Sequence, residues 1–414
     1  MTAFPLPEAL EDLTPVTDPI VDLPNQAALL RKVFEGAEIV PLIQAELDKL
    51  HKDVTDASAY VSLSLLYQLA GQKENGLACL DAGLHYARMF RQPVEGATLK
   101  LLAICARGDL MTNTPIELLV EGLPIEVTRL YVDALGELPD SCPEHDVAIF
   151  AIGESDETRP ALERLRGVSA LWPKPMINEP LAILDLSRDR LWRKLQGVEG
   201  LLIPPTARLT AGTLMGVASG HRPLQQALPG GDFPLIVRPV GSHAGNGLQK
   251  IDDAATLAAS IELARLPMAY VSNFVDYASA DGRWRKYRIA FLGGRPHLAH
   301  MAIGDHWMVH YLNAGMAESA DKRAEEAAAM ASFDEDFAVR HAAAFAGLYE
   351  RLGLDYFAID CAELADGRLL LFEADVSMIV HALDPEDLYP YKKPQMAKVF
   401  EAFGTVLRAR AGQA

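Results

Sequence analysis

Three carboxylates near the end of the chain have the chemistry to hold divalent cations. Asp360 lies in one apolar run, and Glu373 and Asp375 lie in the next. Mg²⁺ takes oxygen ligands, and its protein sites commonly combine one or two carboxylates with substrate phosphates. If these side chains converge, they indicate a site that handles phosphate groups with metal ions.

A tight turn would bring the two runs together. Asp366-Gly367 separates residues 356–363 from residues 368–375, and both runs read as strands. An Asp-Gly pair between apolar runs is a strong hairpin signal, because both residue types tolerate positive φ. The sequence therefore predicts a hairpin with a two-residue loop.

This loop length fixes which residues face each other. Ala365 would face Arg368, and counting outward places Asp360 opposite Glu373. Asp375 would share the face of Glu373, since strand side chains alternate. Opposed like charges destabilise a sheet, and divalent cations would remove that cost. The alternative is a solvent-facing strand that is merely acidic.

A glycine-rich loop is the second candidate. Residues 234–240 read as a strand, 248–251 as a short strand, and Gly241–Gly247 lies between them. The backbone N–H groups of such a loop can approach phosphates, and Arg238 adds a cation that favours phosphate. The alternative is an ordinary tight turn.

Further strands and helices surround these segments. Residues 146–153 form a short apolar run ending in glycine, which predicts a buried parallel strand at the start of an α/β subdomain. Other strands are predicted at 269–277, 286–292 and 296–303, and helices at 157–165, 187–196, 324–352 and 393–411.

The N-terminal third has a different character. Residues 1–24 are proline-rich and acidic, which predicts an irregular lead-in, and residues 25–135 are interpreted as helical. Residues 56–70 and 73–90, separated by Gly71, resemble a tetratricopeptide-type helical hairpin. An ordinary helical domain is the alternative. Either could bind a protein partner or mediate self-association.

Composition limits the classes of protein. The 414 residues suggest two or three domains. A net charge of −18 argues against nucleic acid and against anionic membranes as partners.

The first basic residue is Arg31, and no apolar run is long enough to span a bilayer, so a cytoplasmic location is expected. Four cysteines without CxxC spacing predict buried thiols in a reducing compartment: Cys79, Cys105, Cys142 and Cys361.

The order of these segments resembles the ATP-grasp superfamily, closest to its glutathione synthetase and ribosomal-protein glutamate ligase (RimK) branch. The similarity covers about 230 residues from the strand at 146 onward. The matching segments are INEP (177–180), SRDRL (187–191) leading to IPPT (203–206), LIVRPVGSHAGNG (235–247), YVSNFV (270–275), YRIAFLGG (287–294), and GLDYFAIDC (353–361) with LFEAD (371–375).

The resemblance implies an architecture and a reaction. An α+β ATP-grasp domain with two α+β subdomains would occupy 186–414, an α/β pre-ATP-grasp subdomain 146–185, and an all-α domain 25–135. ATP would lie between the two α+β halves. A carboxylate substrate (an amino acid, peptide or similar small acid) would attack the γ-phosphorus, and an amine would convert the acyl phosphate to an amide.

The resemblance also implies roles for individual residues. Asp360, Glu373 and Asp375 would hold two Mg²⁺ (or Mn²⁺) ions, Arg288 would lie near the transferred phosphoryl group, and Asn313 would contact the acceptor. Nucleotide contacts would come from Arg190, Arg238, Gly241, Ser242, Gly245, Gly247, Ser272, Asn273, Phe274 and Val275.

The chain departs from the family's usual residues within the site. The departures are Arg190 and Arg238 in place of lysine, Asp375 in place of asparagine, Lys286 in place of an acidic residue, and Ser272-Asn273 in place of Gln-Glu. Arginine remains cationic but is not equivalent to lysine. A second hypothesis follows: a helical-repeat adaptor that binds ATP, is catalytically impaired and recruits a protein partner.

Overall fold

The chain divides into two compact units. Unit 1 comprises the described parts of Met1–Ile183 and Val376–Ala414, and unit 2 comprises Leu184–Asp375. The computed structural model describes residues 19–133, 136–138, 142–242 and 245–413.

Unit 1 combines a helical region with a six-stranded sheet. Its elements, in chain order, are β1 (Ile20–Asp22), α1 (Gln26–Phe34), α2 (Ile39–Leu50), α3 (Ala57–Leu69), α4 (Lys73–Tyr86), β2 (Met89–Gln92), β3 (Leu99–Ala106), α5 (Ile116–Leu119), β4 (Ile125–Val132), β5 (Val147–Phe150), α6 (Arg159–Leu165), a 3₁₀ helix (Val168–Leu171), β6 (Met176–Ile177) and α7 (Pro180–Leu184).

The sheet of unit 1 is mostly parallel. Its strand order is β1-β2-β4-β3-β5-β6, and only the β2–β4 pair is antiparallel. The predicted strand at 146–153 is confirmed as β5, which is buried along its whole length. Burial on both faces is typical of parallel strands, so the apolar run without alternation has its physical reason.

The predicted helical hairpin is present within this unit. Asp56 caps α3, because its side chain accepts a hydrogen bond from the backbone N–H of Ala59. Gly71, at φ +74°, lies between α3 and α4. Residues of α2, α3 and α4 share one apolar core, in which Leu63 and Leu66 are fully buried. The tetratricopeptide resemblance stays a prediction.

The prediction of an all-helical region at 25–135 is wrong. After α4 the chain forms β2, β3 and β4 of the sheet, with only the short α5 between them. Of the lead-in at 1–24, residues 1–18 lie outside the described part, and Ile20–Asp22 forms β1 beside β2. The error has a physical cause: every β3 residue except Lys100 is buried, so its apolar run has no strand alternation to distinguish it from a helix.

Unit 2 contains two further sheets with their helices. Its elements, in chain order, are α8 (Arg188–Lys194), β7 (Leu201–Leu202), β8 (Thr206–Thr210), α9 (Ala211–Ala218), α10 (Leu224–Ala227), β9 (Leu235–Pro239), β10 (Gln249–Ile251), α11 (Ala254–Ala259), α12 (Ile261–Ala264), β11 (Met268–Asn273), β12 (Trp284–Leu292), β13 (Arg295–Gly304), a 3₁₀ helix (Tyr311–Asn313), α13 (Ala320–Ser332), α14 (Phe337–Arg340), α15 (Ala342–Leu352), β14 (Tyr356–Glu363) and β15 (Leu369–Asp375).

The two sheets of unit 2 differ in size and in core. The four-stranded sheet has the order β10-β9-β11-β8, is antiparallel, and packs on α9 and α11. The five-stranded sheet has the order β13-β12-β14-β15-β7, and only its β15–β7 pair is parallel. Phe291 stacks on Phe357 in its core, with ring centroids 4.5 Å apart.

The long helix predicted at 324–352 is broken into α13, α14 and α15. Phe333 and Phe337 lie at the break, and both side chains are buried. Phe337 stacks against Phe333, and Tyr287 of β12 lies over the ring of Phe337 at 4.5 Å. These ring contacts connect the residues of the break to β12, and such tertiary packing can override the helical propensity of the surrounding alanines.

The chain returns to unit 1 after Asp375 and ends in α16 (Lys392–Arg410), close to the helix predicted at 393–411. The predicted domain at 186–414 is therefore wrong at its C-terminal boundary. Cys142 is exposed, which corrects the expectation that every thiol is buried; the other three cysteines are buried. None of the described helices is long and apolar enough to cross a bilayer.

Candidate active site

A row of polar side chains crosses the five-stranded sheet of unit 2. His300 on β13 faces Arg288 on β12, Arg288 faces Asp360 on β14, and Asp360 faces Glu373 on β15. Directly opposed residues in a sheet project to the same face. Cys361, on the alternate face, is fully buried as predicted. The sheet thus presents four functional groups on one face and an apolar core on the other.

The hairpin that carries two of these residues reaches the predicted pairing by a different route. Leu364 N–H donates to Arg368 O, so the loop holds three residues, with Gly367 at φ +81°. The register shifts again beyond Cys361, which pairs with Leu371 and leaves Phe372 as an extra residue. A three-residue loop is a common hairpin connection. The two one-residue changes cancel at Asp360, so the predicted partner is correct although the predicted loop is not.

Asp360 is fully buried and lies between two cationic side chains. Arg288 Nε and Nη2 donate to its two carboxylate oxygens at 2.8 Å and 3.0 Å. Lys286 Nζ, two residues along β12 on the same face, lies 2.7 Å from Oδ2. Burial alone would raise the pKa of Asp360, but Arg288 and Lys286 hold that pKa well below its usual range. Asp360 is therefore ionised, and three donors approach its oxygens.

Glu373 and Asp375 lie further along β15 and are half-buried. Arg188, from the start of α8, donates to Glu373 Oε2, and Arg238 Nη1 lies 3.8 Å from the same oxygen. Asp375 pairs in register with Ala358 and is among the charges that raise the pKa of Arg288. The hairpin carboxylates are thus surrounded by basic side chains from β9, β12 and α8.

Arginines also gather around Tyr270 on β11. Tyr270 lies opposite Arg208 of β8 and opposite Arg238 of β9. Its ring lies 5.6 Å from the guanidinium carbon of Arg208 and 6.0 Å from that of Arg188. Burial lowers the pKa of Arg238, and the nearby charge of Arg188 lowers it further. These like charges would be stabilised by an anion bound beside them.

Arg238 lies three residues before the glycine-rich loop, which begins at Gly241. Its guanidinium donates to the backbone oxygen of Ser242, and the Ser242 hydroxyl donates to Pro239 O at 2.9 Å. Both contacts hold the first part of the loop close to the end of β9. Residues 243 and 244 of the predicted flap lie outside the described residues.

Three glycines of this loop have positive φ. Gly241, Gly245 and Gly247 lie at +76°, +74° and +69°, where other residue types are strained. A Cβ at Gly247 would lie 2.9 Å from Pro239 Cγ, whereas a Cβ at Gly241 would contact nothing within 4 Å. The loop conformation therefore requires glycine at these positions, and at 247 also for lack of space.

The predicted hinge begins at the end of β11. Ser272 and Asn273 lie within that strand, between β8 and β9 in the sheet. Asn273 Nδ2 donates to Gly230 O at 2.9 Å, and its Oδ1 accepts from Asp232 N–H at 3.1 Å. The Asn273 side chain therefore organises the loop before β9.

Phe274 and Val275 follow directly. The Phe274 N–H donates to Pro234 O at 2.8 Å, so this amide already has a backbone partner. The Phe274 ring makes an edge contact with Trp307 at 5.6 Å, and Lys250 Nζ lies 4.5 Å from its centroid. Val275 is half-buried. Trp307 and Lys250 thus lie beside the ring of Phe274, and an adenine contact from this segment stays a prediction.

Asn313 belongs to a 3₁₀ turn next to the polar row. Its Oδ1 accepts from His310 N–H at 2.9 Å, which stabilises the turn. Burial lowers the pKa of His310, and the charges of Lys286 and Arg288 lower it further, so His310 is neutral at pH 7. Tyr311 packs on His300 with ring centroids 4.6 Å apart. The segment therefore borders the row, with Asn313 exposed.

Arg188 was missed in the sequence, and Arg190 was named in its place. Arg190 Nη1 donates to Leu184 O at 3.4 Å, whereas Arg188 reaches Glu373. A signal was available, because residues three apart share a helix face and Leu191 is the buried residue of α8. Arg188 is three residues before Leu191, and Arg190 is adjacent to it. A nucleotide contact from Arg190 stays a prediction.

The carboxylates fit two divalent ions in donor type but not in arrangement. Among the described residues, no group of three or more His, Cys, Asp or Glu side chains could hold a metal ion. Both oxygens of Asp360 accept hydrogen bonds from Arg288, and Lys286 adds a further contact. Metal ligation by Asp360 would require these contacts to break. The expected two-ion site on Asp360, Glu373 and Asp375 therefore does not match this structure.

No protein-family model matches the chain, and no curated protein matches it in sequence. Similar solved structures include a RimK domain protein ATP-grasp from Sphaerobacter thermophilus (14% identity over 74% of this chain and 99% of that one, TM-score 0.40). Two others are D-alanine–D-alanine ligases, from Bacillus anthracis complexed with ATP (15%, 77% and 100%, 0.44) and from Coxiella burnetii (10%, 76% and 97%, 0.45). Overlap of this extent does not carry a functional assignment, which has to rest on the residues of the site.

Proposed function

We propose that unit 2 binds ATP and that the chain is an ATP-dependent carboxylate–amine ligase. The observation that supports this most directly is the meeting of Arg188 and Arg238 at Glu373. Two guanidinium groups share one carboxylate, and the pKa of Arg238 is lowered by burial and by Arg188. Arginine is well suited to phosphate, which it contacts through two parallel hydrogen bonds. A polyphosphate at this position would relieve the repulsion.

The proposed reaction has two steps. A substrate carboxylate oxygen attacks the γ-phosphorus of ATP, which forms an acyl phosphate and releases ADP. An amine nitrogen then attacks the acyl carbon, phosphate leaves, and the nitrogen loses a proton to give the amide. The catalytic contribution of the chain is the fixed placement of positive charge where the phosphoryl group transfers.

Arg288 has the position for that charge. Its guanidinium is fixed by two hydrogen bonds to the buried Asp360, so it needs little reorganisation when charge develops. The loop Gly241–Gly247 would cover the phosphates, and the backbone at 272–275 would contact adenine through groups other than the Phe274 amide. Asn313 would contact the acceptor. These roles are proposed from the resemblance together with the contacts around the row.

Ligand-dependent thermal unfolding tests the nucleotide site. A ligand at about 100 times its dissociation constant adds roughly 2.7 kcal/mol of stability. A non-hydrolysable ATP analogue should raise the midpoint of the full chain by several degrees. Arg238→Met should remove that rise, and Arg340→Met is the matched control because Arg340 pairs with Glu363 outside the row. No rise in the unmodified chain would contradict the proposal.

ADP release tests the reaction itself. Mixtures of amino acids or short peptides with candidate amines should produce ADP in proportion to amide. The second candidate, an ATP-binding adaptor, is favoured by the Lys286 contact with Asp360, which occupies a carboxylate that the resemblance assigns to metal binding. Nucleotide binding without ADP release in any mixture, with a protein partner held by α1–α4, would favour the adaptor.

A further inference from the structure

We propose that the Lys286 ammonium takes the place of one divalent ion beside Asp360, so that nucleotide bound in unit 2 carries at most one divalent ion. The inference rests on the proposed nucleotide site and specifies its metal requirement. If Lys286 replaces one divalent ion, the number of ions bound per nucleotide is at most one, and this ratio can be measured without turnover.

Most hydrogen-bond positions on the Asp360 carboxylate are already occupied. An ionised carboxylate offers about four lone-pair positions. Arg288 occupies one on each oxygen, at 2.8 Å and 3.0 Å, and Lys286 approaches Oδ2 at 2.7 Å. Asp360 itself is 0% exposed, so the remaining position does not face solvent. A hydrated ion cannot reach this carboxylate while both side chains stay in place.

Lys286 is held in place beside Asp360 by its position on β12. Lys286 and Arg288 are two residues apart on β12 and therefore lie on one face, the face of the polar row. Lys286 is 18% exposed at its side chain, so displacement would leave a half-buried ammonium without Asp360. A divalent ion at the same oxygen would also repel the ammonium. The adjacent Arg288 guanidinium and the lack of solvent access at Asp360 both disfavour an added divalent ion at this position.

The other two carboxylates of the hairpin are better placed to hold an ion. Glu373 and Asp375 share a face of β15 and are partly exposed. They offer the same carboxylate oxygens as Asp360, and a hydrated ion can reach them, whereas it cannot reach Asp360. Glu373 shares its oxygen with Arg188, which a phosphate could engage instead. One ion delivered with the nucleotide would be held here, while Lys286 supplies the fixed positive charge at Asp360.

The consequence is a simpler dependence on metal concentration. Below saturation, nucleotide binding that needs two ions rises with roughly the second power of the free metal concentration. Nucleotide binding that needs one ion rises with the first power. A lysine also stays in place when the metal is removed. Nucleotide binding should therefore persist, weakened, in the presence of EDTA.

The test counts Mn²⁺ ions bound with a non-hydrolysable ATP analogue. Free Mn²⁺ is followed by electron paramagnetic resonance while bound analogue is measured in the same samples by equilibrium dialysis. The full chain should bind one Mn²⁺ or fewer per bound analogue. Lys286→Gln should bring the ratio close to two, because Asp360 then has an open coordination position. Lys286→Arg, which keeps the charge, should stay at one or fewer.

Lys194→Gln is the matched control, since Lys194 forms a similar ion pair with Asp185 outside the row, at 2.6 Å. It should behave as the unmodified chain does. A ratio of two in the unmodified chain overturns the inference, and this measurement needs no folded variant. An unchanged ratio in a folded Lys286→Gln chain also overturns it. Absence of analogue binding at any Mn²⁺ concentration would instead overturn the proposed nucleotide site.

Discussion

Each unit contains ion pairs that are at least partly buried, but the pairs are built differently. In unit 1, Arg129 of β4 and Glu117 of α5 pair at 2.5 Å, one guanidinium to one carboxylate. In unit 2, Arg188 and Arg238 meet at a single oxygen of Glu373. The first arrangement is balanced within itself. The second gathers like charges around one carboxylate.

The protonation equilibria show the same difference. Burial would lower the pKa of Arg129, but Glu117, Tyr131 and Cys105 together more than offset this and raise that pKa above its usual value. Burial and Arg188 lower the pKa of Arg238. One cluster is stabilised by the partners it already has, and the other would be stabilised by an added anion. The contrast separates an ion pair that supports the fold from a cluster that we propose binds an anionic ligand.

The largest expected effect is on stability in unit 1. Arg129→Met should lower the free energy of unfolding by about 3–5 kcal/mol, because it leaves Glu117 buried without its partner. Urea denaturation measures the loss. The double variant Arg129→Met/Glu117→Leu should recover most of it, since two apolar side chains of similar volume can replace a buried pair. A loss below about 1 kcal/mol in the single variant would contradict the comparison.

The next effect is on nucleotide affinity in unit 2. Arg238→Met should weaken binding of the ATP analogue about 10–100-fold, because a hydrogen bond to a charged group contributes about 1.5–3 kcal/mol. The free energy of unfolding should stay the same or rise slightly, because the repulsion between Arg188 and Arg238 is gone. Isothermal titration and urea denaturation give the two values. A strongly destabilised chain would place Arg238 with Arg129 as a structural residue.

A smaller effect is expected from the glycine-rich loop. Gly247→Ala adds strain at φ +69° and a contact at 2.9 Å from Pro239, and Gly241→Ala adds strain at φ +76° alone. Strain at such a position costs about 1–3 kcal/mol. Gly247→Ala should therefore weaken analogue binding several-fold more than Gly241→Ala does. Equal effects of the two substitutions would mean that the close contact between residue 247 and Pro239 has no influence on analogue binding.

The site was more accessible to sequence reasoning than the first unit was. Local turn chemistry was enough to predict a hairpin here, but the pairing of Asp360 with Glu373 came out right only because a wrong loop length was offset by an extra residue further along β15. Even so, the loop of three residues and the extra Phe372 were not predictable, since each depends on how β15 fits its neighbours. Two errors cancelled at the position that mattered.

Other features depend on long-range contacts that no local pattern encodes. β3 was interpreted as helical because strands buried on both faces lose their alternation. The break between α13 and α14 follows from the burial of Phe337 against β12. The contact of Lys286 with Asp360 joins residues on two strands, and the sequence showed only that a lysine replaced an expected acid.

The smallest expected effect comes from Glu363, a carboxylate of the same hairpin outside the row. It contacts Arg340 Nη2 at 3.0 Å and His341 Nε2 at 3.3 Å, and these partners lower the pKa of Glu363 to about 2. A depressed folded pKa gives stability that is complete above the unfolded value of about 4.5 and is lost as the pH falls toward 2. Glu363→Gln should therefore cost about 1 kcal/mol at pH 7. Urea denaturation at pH 7, 5, 4 and 3 should show the difference shrinking only below pH 4.5, with analogue binding at pH 7 unchanged. A loss of analogue binding would extend the ligand-binding cluster along β14 and break the distinction between the two kinds of ion pair.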